Sequence, residues 1–206
     1  VNGTNNIQTI TYEFEVSASG FMGSSTQTAV VTVNPQPTMT ITNTNTTINS
    51  GTTTDILINT PTQNGQVRLK SVINPAGITG NTIVGALFPN GTTLQDILVN
   101  STTSPQSITY EFEVIANGCV NGTTILATVT VNPTPQMTVT NTAPTLCPLG
   151  STNIVVNSVT SNAVIELIGV TITPDAGGIT MNTAVGTKWG SGFPSLPATI
   201  ADNLVN

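Results

Sequence analysis

The chain contains no histidine, two cysteines and three basic residues, Arg68, Lys70 and Lys188. Without histidine or a Cys-x-x-Cys pair, the usual ligands of a zinc site are missing. Three cations cannot build the clustered positive surface that phosphate backbones require, so nucleic acid is not an expected partner. Asp55, Asp96, Asp175 and Asp202 are scattered, with no Asp-x-Asp cluster for Ca²⁺. Neither a Gly-x-Ser-x-Gly nucleophile nor a phosphate loop occurs, so no enzyme activity and no cofactor are expected. No apolar run reaches the roughly 18 residues of a membrane-spanning helix. An initiator methionine and a signal peptide are also missing from the start, which reads as a window on a longer chain or as a mature product.

Charged residues make up only 6% of the 206 residues, against about a quarter in an ordinary globular domain. Solubility must then rest on Thr, Asn, Ser and Gln. Disorder is not the expected result. Disordered chains pair low hydrophobicity with high net charge, whereas this one is 37% hydrophobic with a net charge of −6. Its apolar residues alternate with polar ones, the pattern of a half-buried strand.

The organising feature is a repeat. Ile10-Thr11-Tyr12-Glu13-Phe14-Glu15-Val16 recurs as Ile108-Thr109-Tyr110-Glu111-Phe112-Glu113-Val114, a spacing of 98 residues from Tyr12 to Tyr110. Val31-Thr32-Val33-Asn34-Pro35 recurs with the same spacing at Val129-Thr130-Val131-Asn132-Pro133. A period this long is a whole domain. Strands are expected at 7–16, 26–34, 38–43, 55–59, 66–73, 83–84, 94–99, 107–115 and 123–132. The turns lie at 17–25, Asn49-Ser50-Gly51, Asn64-Gly65, Pro89-Asn90-Gly91 and Asn117-Gly118. No segment has a helical period.

Seven short strands between Pro35 and Pro133 point to an all-β chain of tandem seven-stranded, immunoglobulin-like β-sandwiches. The proline junctions then divide it into three parts. Residues 1–35 supply the last two strands of a preceding sandwich, 36–133 form a complete one, and 134–206 form a third that lacks its last two strands. The beginning and the end share one phase of the repeat: Val1-Asn2, Val99-Asn100 and Val205-Asn206 correspond.

Several motifs carry a family resemblance: Thr-Tyr-x-Phe-x-Val followed by Ala116-Asn117-Gly118-Cys119, and Val129-Thr130-Val131-Asn132-Pro133-Thr134-Pro135. Thr145-Leu146-Cys147-Pro148-Leu149-Gly150 adds a Cys-Gly turn. Asp96-Ile97-Leu98-Val99-Asn100 and Asp202-Asn203-Leu204-Val205-Asn206 add an Asp-x-Leu-x-Asn strand. Over essentially its whole length the chain resembles the PKD-like, immunoglobulin-type repeats of Bacteroidota cell-surface proteins. That resemblance implies an extracellular, cell-surface location within a giant adhesin, including the gliding-motility adhesins exported by type IX secretion. The chain departs from the pattern at its cysteines. Cys147 matches Asn49, and Cys119 matches Phe21. Both are therefore expected unpaired; a bridge between them would have to reach between neighbouring domains. Five Asn-x-Ser/Thr sequons lie at Asn2, Asn45, Asn90, Asn100 and Asn121, as expected by chance in a chain so rich in Asn and Thr.

Three groups of residues are candidates for a role. Glu111 and Glu113 have the spacing of a carboxylate pair, but Arg68 and Lys70 have the same spacing on the expected neighbouring strand. A solvent-facing cross-strand charge ladder is the expected result. Tyr12, Phe14, Tyr110 and Phe112 are expected in the core, with the Tyr110 hydroxyl tied to backbone as in the tyrosine corner. Trp189, beside Lys188 and flanked by Gly190, is a candidate either for sugar stacking or for core and inter-domain packing. Partners are expected to be neighbouring repeats or identical subunits, with surface glycans as a further class.

Overall fold

The structure is a computed structural model that describes residues 1–147, 149–173, 179, 180 and 182–205, leaving aside the side chain of Ser24. Asp175 and Pro148 fall outside the described residues, as does Asn206. The fold is all-β, with several sheets and the character of an immunoglobulin-like β-sandwich. The chain forms two compact units. Unit 1 comprises Val1–Val99 and Gln106–Val131, and unit 2 comprises Asn100–Pro105 and Asn132–Asn206.

Unit 1 opens with a long hairpin, β1 (Gln8–Ala18) and β2 (Phe21–Val33). The turn is only Ser19-Gly20, with φ of 50° and 81°. Positive φ at both central positions matches the twist of the flanking strands, so β2 starts at Phe21, earlier than the glycines at 20 and 23 imply. The chain continues through β3 (Thr40–Asn43), β4 (Thr47–Asn49), β5 (Thr52–Thr53) and β6 (Ile56–Asn59). Next come β7 (Gly65–Ile73), β8 (Ile78–Thr79), β9 (Leu87–Pro89), β10 (Thr92–Leu94) and β11 (Ile97–Asn100). A second long hairpin follows, β12 (Gln106–Ala116) and β13 (Cys119–Asn132), turned by Asn117-Gly118 with φ of 51° and 77°. Both hairpins carry a bulge at the same place, between Glu15 and Ser17 and between Glu113 and Ile115.

The strands order as β10-β6-β3, β5-β11-β8 and β4-β13-β12-β7-β9. All three sheets send side chains into one core: Ile56, Ile58 and Leu98 meet Val67, Leu69, Tyr110 and Phe112. The residues between Pro35 and Pro133 fall into eleven elements, β3 to β13, where seven strands are expected. The extra breaks have a cause. At Thr54 and Asp96 one backbone bond remains, from Thr54 N–H to the Asp96 carbonyl (2.9 Å), and the Thr54 side chain stands in for the rest, where β5 gives way to β6 and β10 to β11 in a different sheet. The Thr54 hydroxyl donates to the Leu94 carbonyl (3.0 Å) and accepts the Asp96 N–H (2.9 Å). Ile83 and Val84, expected in a short strand, lie instead in an exposed turn. The backbone pairing there is made one step later, where Leu69 N–H bonds the Ala86 carbonyl and Gly85 N–H bonds the Leu69 carbonyl.

Unit 2 holds β14 (Thr138–Asn141), β15 (Ile154–Asn157), β16 (Val164–Glu166), β17 (Lys188–Gly190) and β18 (Ala198–Ile200). They form two sheets, β14-β15-β18 and β16-β17. Its buried core is small: Val156, Ile165, Trp189 and Ile200. The register of β16 on β17 copies that of β7 on β9, with Ile165 opposite Trp189 as Val67 is opposite Phe88.

Candidate functional site

The expected charge pairs form across β7 and β12. Arg68 Nε donates to Glu113 Oε1 at 2.7 Å, and Lys70 Nζ lies 3.1 Å from Glu111 Oε1. One part of the expectation needs correction. Glu113 is only 7% exposed, so this carboxylate does not face solvent, while the Arg68 side chain that binds it stays partly exposed. β12 is the middle strand of five, and Glu113 is flanked in register by Arg68 and Thr124, which cover it from both sides. Such a pair holds register and leaves neither carboxylate free for acid–base work, because each is already bonded to a cation.

Glu111 also accepts the Ser71 hydroxyl at 2.5 Å. That bond, followed by the one from Lys70, holds its carboxyl below the usual glutamate range. A depressed folded pKa gives stability that is present above the unfolded pKa, about 4.3. It is lost as pH falls through the lower folded value. Glu111→Gln should therefore lower the melting temperature at neutral pH and lose its effect in acid. A melting difference that persists unchanged below that window would show that the carboxylate charge is not what counts.

The four aromatics with the same local sequence separate into two pairs. Tyr110 and Phe112 are fully buried, with ring centroids 6.3 Å apart. Tyr12 and Phe14 make the same stacked pair at 6.5 Å, but are 49% and 59% exposed. Their expected place in a core is thus corrected. β1 and β2 form a two-stranded sheet, and among the described residues no second sheet covers it, so Ile10, Tyr12, Phe14, Val16 and Val31 stand exposed. The base of the hairpin is nevertheless tied to the sandwich of unit 1. Gln63 N–H donates to the Asn5 carbonyl (2.8 Å), Ile7 N–H to Gln63 Oε1 (2.8 Å), and Asn34 Nδ2 to the Asn117 carbonyl (3.3 Å).

The Tyr110 hydroxyl is not tied to backbone as expected. It donates to Asp96 Oδ2 at 2.7 Å. The same carboxylate accepts Thr82 N–H (2.8 Å) and the Thr82 hydroxyl (2.6 Å). Burial, and then the bond and charge of Asp96, push the Tyr110 phenol far above its ordinary value, so it remains a donor. Asp96 was not singled out among the scattered aspartates. The available signal was its position at the head of an Asp-x-Leu-x-Asn strand that occurs again at Asp202.

Unit 2 rebuilds the same cluster. Thr183 N–H and hydroxyl donate to Asp202 at 2.6 and 2.5 Å, and Asp202 N–H donates to the Thr152 hydroxyl at 2.8 Å. Thr152 in turn bonds the Ile200 carbonyl at 3.0 Å, as Thr54 bonds that of Leu94. No tyrosine hydroxyl reaches Asp202 among the described residues.

Trp189 lies in the core of unit 2 at 8% exposure, in the position that Phe88 holds in unit 1. The sugar-stacking role weighed for it loses its basis, because its ring packs among apolar side chains. Lys188 pairs with Glu166 at 3.4 Å. Beside Trp189 runs an open apolar groove of about 230 Å³ floored by Val156, Ile165, Leu167 and Ile200.

Cys119 and Cys147 are both free thiols. The side-chain amides of Asn2, Asn100 and Asn121, needed for glycosylation at those sequons, already donate to the Asn6, Ser104 and Pro37 carbonyls at 2.7, 2.9 and 2.7 Å. Among the described residues no group of three or more Cys, Asp or Glu could hold a metal ion, and no helix is long and apolar enough to cross a membrane. The chain matches no family model and no curated protein.

Proposed function

We propose that this chain is a length of structural stalk from a large secreted cell-surface adhesin, built of tandem immunoglobulin-like, PKD-like sandwiches of seven strands each. Its role is mechanical: the sandwiches fold as repeated units, resist proteolysis and hold a binding tip away from the cell during surface attachment or gliding. The observation that carries the reading is the duplication of a whole construction. The two hairpins share turn, bulge and aromatic pair, and the Thr–Asp clusters of the two units match bond for bond. The extracellular location and type IX export come from the resemblance of the motifs.

The test is a blot of intact and protease-shaved cells with an antibody to residues 36–133, run on a denaturing, reducing gel after boiling. The stalk reading expects a band far above 21.1 kDa that shaving removes. A protected band would sink the surface location, and a band near 21.1 kDa would sink the covalent array.

A second reading is favoured by two features, each seen within its own unit: the bare apolar face of β1 and β2 in unit 1, and the open apolar groove in unit 2. Under it the chain is the subunit of an extracellular filament joined by strand donation, an established mode of association.

A further inference from the structure

We infer that the β1–β2 hairpin of one copy of this chain completes unit 2 of a second copy, and that Tyr12 locks the joint by donating its hydroxyl to Asp202 of that copy. This deepens the strand-donation reading and rests on it.

The argument starts from unit 1, where the completed form is visible. There β12 lies along β7, and Tyr110, Phe112, Val114 and Val129 close the core. In unit 2 the strand matching β7 is β16. Among the described residues it has β17 on one side and no strand on the other. The groove beside Trp189 opens at the place the matching side chains would fill. Tyr12, Phe14, Val16 and Val31 are those matching side chains by sequence, and they are exposed. They already hold the strand register and ring stacking of their buried counterparts, so little ordering remains to be done on docking.

Carrying the register of β12 on β7 over to β1 on β16 sets Val16 opposite Ile165 and brings Phe14 to Trp189, as Phe112 meets Phe88 edge-on at 6.3 Å. It also brings the Tyr12 hydroxyl to Asp202. That carboxylate reproduces every hydrogen bond described for Asp96 except the one from tyrosine. A buried carboxylate hydrogen-bonded to a phenol is specific as well as favourable, because the wrong register leaves both groups unpaired.

The charge ladder does not carry over. Arg68 is matched by Glu166, so Glu15 would face Glu166, which Lys188 already binds. Like charges directly opposite disfavour pairing. The joint should therefore strengthen as salt screens them, the reverse of an ion-pair interface.

The full chain can be followed by analytical ultracentrifugation over a concentration series, with fluorescence of Trp189, the only tryptophan, as a second readout. Wild type is expected to form head-to-tail oligomers, more so at high salt, with Trp189 emission moving to shorter wavelength as Phe14 covers it. Phe14→Asp changes a side chain exposed in the single copy, so it should fold normally, remain monomeric and shorten wild-type oligomers by capping one end. Tyr12→Phe should raise the concentration for half-assembly about tenfold. In an Asp202→Asn background the same change should have a much smaller effect. A wild-type chain that stays monomeric, or a Phe14→Asp chain that assembles like wild type, overturns strand donation itself. Tyr12→Phe oligomers as stable as wild type overturn the lock and leave donation standing. Neither result touches the stalk reading, which is decided on cells.

Discussion

Tyr110→Ala is expected to destabilise unit 1 by about 3–5 kcal/mol, while Tyr12→Ala changes its stability by less than about 0.5 kcal/mol. The two tyrosines sit in the same heptapeptide, so local propensity cancels between them. What differs is the cover. Tyr110 is fully buried and its hydroxyl is bonded to Asp96, whereas Tyr12 is half exposed on an open sheet. Truncating Tyr110 removes a ring from a packed core and leaves a buried carboxylate with one donor fewer. Urea unfolding followed by far-UV circular dichroism, or hydrogen exchange resolved on β12, would measure it. Trp189 fluorescence would not, because it reports on unit 2. Equal effects for the two substitutions would overturn the core assignment of Tyr110.

Gly80→Ala should cost about 4 kcal/mol or more, or prevent unit 1 from folding, whereas Gly85→Ala should cost only about 1–2 kcal/mol. Both glycines have a positive φ, 93° and 92°. An alanine at either therefore pays the strain of a left-handed backbone. At Gly85 the added methyl group meets open space. At Gly80 it would lie 2.0 Å from the Ile97 carbonyl oxygen, a backbone atom of β11 that cannot swing away. β8 and β11 are neighbours in one sheet, so relief would require separating the strands. Melting curves of the two variants would decide between strain and collision. A Gly80→Ala chain as stable as Gly85→Ala would mean that β8 does not approach β11 this closely.

Much of the candidate site could be read from the residues, and the failures have definite causes. That Arg68 and Lys70 face the two glutamates across neighbouring strands is legible because period-two alternation and matched spacing are local properties; which cation meets which glutamate is set by the register of β7 on β12. The burial of Glu113 was not legible, since it depends on β12 lying in the middle of its sheet. Trp189 looked like a loop residue among glycines. It is a core residue because β17 pairs with β16 and turns the ring inward. Asp96 and Asp202 looked scattered because their partners, Thr82 and Thr183, are contributed by a separate loop in each unit.

Sequence alone determined the class of the fold, the length of the repeat, the two hairpins and the Asn117-Gly118 turn. These follow from alternation and from the Asn-Gly pair, which act between residues close along the chain. Tertiary structure decided which copy of the repeated heptapeptide is covered. Ile-Thr-Tyr-Glu-Phe-Glu-Val says that a strand has an apolar face, but not whether another sheet lies against it. Over β12 that sheet is present and Tyr110 is buried; over β1 there is none among the described residues, and Tyr12 is exposed. Burial is a property of two surfaces together, and a strand's own residues specify only one of them.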